Sequence, residues 1–236
     1  GKSANGPYGD MVEELDGRIG DLLKVLADEE LEKSTIVVFM SDNGTEPGQR
    51  KWGSGEPFRG LKWSALEGGT RVPCIIRFPD LIPAGEVTGK LITAIDLLPT
   101  LAGACGIKLK EGPGIVPKID GLNLWASLQG KAKTHPRSNL LYWHGWAMPQ
   151  AIRVGDWKLY LDKVKEIPGT NKAPVLIDLS KDPSEEKDLA SEHPEKVKEL
   201  KELASKLLSE IGKNSISLGG PANPKKQNKK GAFWLK

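Results

Sequence analysis

Asp42 and Asn43 stand side by side at the end of an apolar run, Thr35-Ile36-Val37-Val38-Phe39-Met40-Ser41, and Gly44 follows them. A carboxylate beside a carboxamide is a hard oxygen pair, suited to calcium or magnesium rather than to zinc. The same three residues are also ordinary turn chemistry, because Asn and Gly accept positive φ and Asp bonds its own backbone. A second stretch runs Phe58-Arg59-Gly60-Leu61-Lys62-Trp63-Ser64-Ala65-Leu66-Glu67-Gly68-Gly69-Thr70-Arg71-Val72-Pro73. Its glycines let backbone approach a ligand closely, and Arg59, Lys62 and Arg71 make it cationic. Beside a bound cation, such a loop is suited to an anion. The alternative for these three cations is a set of solvated loop charges.

Those residues need elements to hold them. Apolar residues bounded by polar signals read as a buried strand over about Thr35 to Met40, and Val72 to Phe78 reads as the next one. In open α/β sheets, ligands bind beyond the carboxyl ends of strands, which is where Asp42 and Asn43 fall. Residues 44–58, rich in Gly and Pro, form a loop long enough to be suspected of function. Upstream, Tyr8, Val12, Leu15, Ile19, Leu22 and Leu26 recur at helical spacing, so their face is expected in the core. Residues 96–104 read as a short helix with Asp96 as N-cap and Gly106 as the stop. Residues 108–118 read as a loop and 122–128 as another short helix.

Composition shifts near Gly130. Leu140–Trp143, Ala151–Val154, Trp157–Leu161 and Val175–Asp178 are short β-like runs, with Gly155-Asp156 as a hairpin signal. Asp182-Pro183-x-Glu185 has the form of a helix start: a cap, a Pro at the first position and a box-like Glu. A last helix from Pro194 carries Val197, Leu200, Ala204, Leu207 and Ile211 on one face, which should pack on the small sheet. The expected class is α/β: part of a large mixed sheet flanked by helices, plus a small C-terminal antiparallel sheet packed with a helix. The expected units are residues 1–130, 131–212 and a Lys-rich tail at 213–236. That tail reads as solvated, with a polyanion contact as the sharper alternative. Trp143, His144 and Trp146 are either a hydrophobic strand with one satisfied histidine or a loop that stacks on sugar or gates substrate.

Composition sets bounds. The 236 residues are 38% apolar and 28% charged, which fits a soluble globular protein. A net charge of +3 is too small to argue for nucleic acid. No apolar run approaches the roughly 20 residues of a membrane span. Two cysteines without a pairing signal leave the redox compartment open, and Cys74 and Cys105 each read as a small buried apolar residue.

Taken together, Ser41-Asp42-Asn43-Gly44, Arg59-Gly60-Leu61-Lys62, Glu67-Gly68-Gly69 and Arg71-Val72-Pro73 resemble, in order and interval, the second half of the signature of arylsulfatase-like sulfatases in the alkaline phosphatase superfamily. The likeness extends through Leu91–Leu101, Asp120–Leu124, Ala151–Leu159 and Asp178–Glu186, and covers most of residues 8–211. It implies a sulfuric ester hydrolase. Asp42 and Asn43 would be ligands of Ca2+, with Mg2+ second. Lys62 would be both the catalytic and the sulfate-binding lysine. Arg59 and Arg71 would brace the loop, and Glu67 would pair with one of them. Leu61 and Trp63 stand where the family carries Gly or another small residue, which leaves the local loop shape open.

The resemblance also implies a formylglycine nucleophile, made from the Cys or Ser that opens a Cys-x-Pro-Ser-Arg or similar motif. Cys74 is followed by Ile-Ile-Arg and Cys105 by Gly-Ile-Lys, so neither fits. The family's paired aspartates and its leaving-group histidine have no match either. The expectation is a C-terminal fragment of a longer enzyme, inactive alone, from a periplasmic, secreted or lysosomal protein. Its partner would be a sulfate ester, with sulfated carbohydrates among the candidates. Two alternatives stay open: a phosphonate or phosphate ester hydrolase of the same superfamily, and a non-catalytic homologue that binds sulfated glycans.

Overall fold

The computed structural model of the chain describes residues 1–111, 118–144, 148–162, 164, 167 and 173–214. Trp146, the side chain of His144 and the tail beyond Asn214 lie outside the described residues.

The first long element is α1, Gly6–Asp28, opened by a Pro in its first turn. β1, Val37–Met40, pairs antiparallel with β2, Cys74–Arg77, in the register Val37 opposite Arg77 and Met40 opposite Cys74. Between them lies α2, Glu67–Thr70, a single turn whose Glu67, Gly68 and Gly69 are buried. α3, Leu97–Ala104, ends in the expected glycine stop: Gly106 has φ +68°, and Ile107 N–H reaches Ala102 O at 2.8 Å. Asp96 caps differently from expectation. Thr93 is the cap of the 3-10 turn Ala94–Asp96, and Asp96 is the reciprocal acid whose Oδ2 accepts the Thr93 N–H and hydroxyl. The same carboxylate takes Arg137 bidentately, both contacts at 2.6 Å, which ties this turn to the second half of the chain. α4 is Trp125–Leu128.

The second half builds an antiparallel sheet in sequence order: β3 Asn139–His144, β4 Met148–Val154, β5 Trp157–Tyr160 and β6 Val175–Asp178. Val154 faces Trp157 across the two-residue turn, and Gly155 alone there carries positive φ, at +59°. Both faces of this sheet are covered. Ile152, Leu159 and Leu176 pack against Leu200 and Ala204 of α5, Pro194–Asn214. Tyr142, Ala151, Tyr160, Val175 and Ile177 pack against Ala65 and Leu66, in the loop before α2. The small sheet is therefore the floor on which the loop carrying Lys62 rests.

The α/β class and the small sheet with its helix are as expected, while among the described residues the expected large sheet is represented by two strands. Three other expectations are corrected. Asp182-Pro183-Ser184-Glu185 starts no helix; it is a turn in which Asp182 Oδ2 accepts the N–H groups of Glu186 and Lys187, and Glu185 sits at φ +59° with its carboxylate buried. The local Asx-type bonding wins over helix initiation. Cys74 and Cys105 are exposed rather than buried. The apolar face of α1 is also open: Leu15 is 53% and Leu22 67% exposed, with Met11, Val12 and Val25 similar.

Helical periodicity tells which residues share a face and not whether this chain supplies the cover. An open apolar face of that extent should make the isolated chain self-associate. Light scattering of the purified chain should rise with concentration, and Leu15→Lys with Leu22→Lys should suppress it. A monodisperse wild-type chain would contradict this expectation.

Candidate anion and metal site

Three glycines bring the motifs together. Gly44, straight after Asp42-Asn43, donates its N–H to Gly69 O at 3.0 Å, and a Cβ on Gly44 would lie 1.9 Å from Gly68 O. Gly68 donates to Arg59 O at 2.6 Å, and a Cβ there would meet Arg59 O and Gly60 O at 2.5 and 2.6 Å. A Cβ on Gly69 would meet Ser64 O and Leu61 O at 2.3 and 2.4 Å. Backbone thus lies directly on backbone through three layers, a packing that tolerates no side chain. Lys62 N–H closes the stack by donating to Thr45 O at 2.9 Å, three residues past Asp42.

Asp42 is exposed at the end of β1, and among the described residues its carboxylate has no hydrogen-bond or ion-pair partner. Asn43 is half-buried, and its backbone carbonyl accepts from Ser41 Oγ at 3.0 Å. Among the described residues no group of three or more His, Cys, Asp or Glu is placed to hold a metal. Calcium takes six to eight oxygens, so an unpartnered carboxylate with a neighbouring carboxamide fits part of such a shell and needs further donors.

Lys62 lines a cleft of about 840 Å³ with residues of the 44–58 loop. Its ammonium meets Glu46 Oε2 at 3.1 Å and lies 5.5 Å from the ring centre of Trp63. Asp42 and Asn43 are not among the cleft's lining residues. Arg71 stacks its guanidinium on Phe58 at 4.4 Å, and Arg59 donates to Glu185 O at 3.2 Å. Both arginines therefore hold the loop, one locally and one to the second half of the chain.

Glu67 pairs with neither of them. Its Oε1 accepts from Lys158 Nζ at 2.8 Å and from Tyr142 OH at 3.1 Å, and its Oε2 faces Arg153 at 3.2 Å. Lys158, fully buried on β5, also reaches Ala65 O at 2.7 Å and Glu185 Oε1 at 2.9 Å. Glu185 in turn accepts from Tyr160 OH at 2.5 Å and from Glu67 N–H at 2.7 Å. Burial alone would push the Glu67 carboxyl up, but the charges of Lys158 and Arg153 and the Lys158 and Tyr142 hydrogen bonds outweigh it. Glu67 titrates below the usual carboxylate range.

Tyr142 and Tyr160 are pushed well above the ordinary phenol range, by burial first and by these carboxylates second. Both stay protonated and donate to these carboxylates, Tyr142 to Glu67 and Tyr160 to Glu185. A neutral set of two acids and two bases thus pins α2, the turn that carries the glycine stack, to the sheet beneath it.

This set was missed from the sequence. The available signal was Trp157-Lys158-Leu159-Tyr160, a strand apolar on both alternating faces and hence buried on both. A lysine inside such a strand requires a buried acid.

The family model described as Sulfatase matches residues 3–107, and that of the N-sulphoglucosamine sulphohydrolase C-terminal region matches residues 62–213, more than half of the chain. The chain belongs to the sulfatase family. This sulfatase chain is 32% identical over 222 residues to steryl-sulfatase of Mus musculus, a match that covers 81% of the chain and 35% of that relative. It is 32% identical over 226 residues to arylsulfatase A of Homo sapiens, covering 86% of the chain and 43% of that relative. A solved structure of a Bacteroides thetaiotaomicron protein from glycosaminoglycan metabolism superposes with a TM-score of 0.75 at 32% identity, covering 88% of the sulfatase chain and 45% of the other. The chain thus spans less than half the length of these relatives. No helix among the described residues is long and apolar enough to cross a membrane.

Proposed function

We propose that this chain carries part of the metal and sulfate site of a sulfuric ester hydrolase, and that residues 1–130 and 131–212 are the C-terminal part of its catalytic domain and a supporting α+β subdomain. The reading rests on one observation: the glycine stack seats the loop after Asp42-Asn43 against the loop that presents Lys62. The family membership and the open apolar face of α1, which calls for a further cover, agree with it.

A sulfate ester is already an anion, and its hydrolysis gathers more charge on the bridging and non-bridging oxygens. Fixed positive groups aimed at those oxygens supply most of the help. In this reading Lys62 donates from Nζ to a sulfate oxygen and steadies the leaving oxygen. An ammonium is a compact charge that meets a tetrahedral oxyanion without bidentate geometry. To do so it leaves Glu46, or shares itself with it. Asp42 and Asn43 would hold a calcium ion, which when bound polarises a sulfate oxygen. In this reading the ion takes further oxygen donors, and neither Cys74 nor Cys105 opens a motif of the formylglycine type.

Turnover of an aryl sulfate against the matching aryl phosphate by the complete protein tests the reading. A preference for sulfate is expected. A strong phosphate preference would favour a phosphate or phosphonate ester hydrolase, and retained glycan binding without turnover would favour a binding homologue. The glycine stack gives a second test. Gly44→Ala must displace Gly68 O, and a shift of about 1 Å in catalytic positioning costs on the order of 100-fold, so turnover should fall by that factor. Wild-type turnover in Gly44→Ala would mean that the stack does not position the site.

A further inference from the structure

Trp63 is the least economical residue in the cleft. It has φ +77°, a backbone conformation that glycine adopts freely and a bulky side chain does not, and its ring is 77% exposed. Packing does not reward the strain. Trp63 lines the cleft with Lys62, whose ammonium is 5.5 Å from its ring centre, and Trp52 lines the same cleft with Lys51 stacked over it at 4.8 Å. The lining carries Arg50, Lys51, Arg59 and Lys62 against one carboxylate, Glu56. Arg59 and Lys62 are already committed, to Glu185 O and to the Glu46 contact. Arg50 and Lys51 lie on the loop facing them.

From this geometry we infer that the cleft takes a carbohydrate bearing at least two anionic groups. One sulfate meets Lys62, the face of a sugar ring stacks on Trp63, and a second sulfate or carboxylate meets Arg50 and Lys51. The aromatic ring supplies a large rigid surface at low entropic cost, and the two basic residues supply the charge selection. An uncharged aryl or alkyl group would use the ring and leave Arg50 and Lys51 idle. This assignment rests on the hydrolase reading for the sulfate at Lys62 and adds Trp63, Arg50 and Lys51 as specificity-determining residues.

The test combines two readouts on the complete protein: calorimetric titration with a disulfated and a monosulfated disaccharide, and turnover of a simple alkyl sulfate. Trp63→Gly fits the backbone better than the native residue, so it should fold with unreduced thermal stability. It should weaken disaccharide binding about tenfold, the scale of one aromatic contact. Arg50→Ala with Lys51→Ala should bring the affinity for the disulfated sugar down to that for the monosulfated one. Unchanged disaccharide binding in Trp63→Gly, or equal losses for both sugars in the double variant, would overturn the assignment even if alkyl sulfate is hydrolysed. Absent alkyl sulfate turnover with the expected binding pattern would instead overturn the hydrolase reading and leave the saccharide site standing.

Discussion

Replacing Lys158 by Met should destabilise the protein by about 3–5 kcal/mol, the cost of stranding buried charge when one partner of a buried pair is removed. Lys158 is fully buried and contacts both Glu67 and Glu185. Methionine fills its volume, so loss of packing does not explain the effect. Without it Glu67 keeps, among the described residues, only Arg153 as a cationic partner, Glu185 loses the Lys158 ammonium, and Ala65 O loses its 2.7 Å donor.

Chemical denaturation of the complete protein would measure the loss, and its pH dependence would identify the cause. In the native protein Glu67 and Asp96 have depressed pKa values: burial pushes each up, but the Lys158 and Arg153 charges at Glu67, and the Arg137 and backbone hydrogen bonds at Asp96, more than offset it. Their contribution is therefore complete above the unfolded carboxylate values, about pH 4, and disappears as pH falls through the folded values. In Lys158→Met the acids can protonate and shed their charge, so the gap between variant and wild type should narrow as the pH falls. A pH-independent gap would assign the loss to packing, and a variant within about 0.5 kcal/mol of wild type, the range of inert surface changes, would remove the network from the account.

Lys62→Ala in the complete enzyme should lower turnover of a sulfate ester by at least roughly 100-fold, as expected for loss of a group aimed at a developing oxyanion. Stability should change little, because among the described residues the ion-pair partner of Lys62 is Glu46, and that pair is partly solvated. Lys62→Arg is a useful companion. It keeps the charge but replaces a point ammonium with a planar fork, so it should recover only part of the rate. Glu46→Gln removes the carboxylate that holds Lys62 and leaves the lysine in place. Unchanged turnover in Lys62→Ala would refute the role assigned to it.

The motifs of the proposed site were legible in the sequence because each is local and contiguous. Ser-Asp-Asn-Gly, Arg-Gly-x-Lys and Glu-Gly-Gly are each read off a few neighbouring residues, and two of the glycines read as permitting close approach to a ligand, Gly68 and Gly69, instead stack backbone on backbone with Gly44. The α5 face and the β-like runs around Gly155 were legible for a similar reason, since each periodicity matches its element. What eluded the sequence is long-range. Glu67 and Glu185 are far apart in the chain, and nothing near either names Lys158 as their partner.

Asp182-Pro183-x-Glu185 carries the letters of a helix start, but the tertiary demand for a buried Glu185 carboxylate holds that residue at φ +59°. The α1 pattern identified a face correctly and its surroundings wrongly, because amphipathicity is silent on which chain provides the cover. Trp63 shows the reverse. Its presence at a position of small residues looked like a loop irregularity, and the backbone angle turns it into a candidate contact for substrate.

The most direct measurement is a crystal structure of the complete protein soaked with calcium and sulfate. The account predicts a calcium ion ligated by Asp42 and Asn43, and a sulfate within charge-assisted hydrogen-bond reach of Lys62 Nζ, about 2.7–2.9 Å, and in contact with that ion. Lys62 still closed on Glu46 with sulfate bound elsewhere, or calcium held without Asp42 and Asn43, would contradict it.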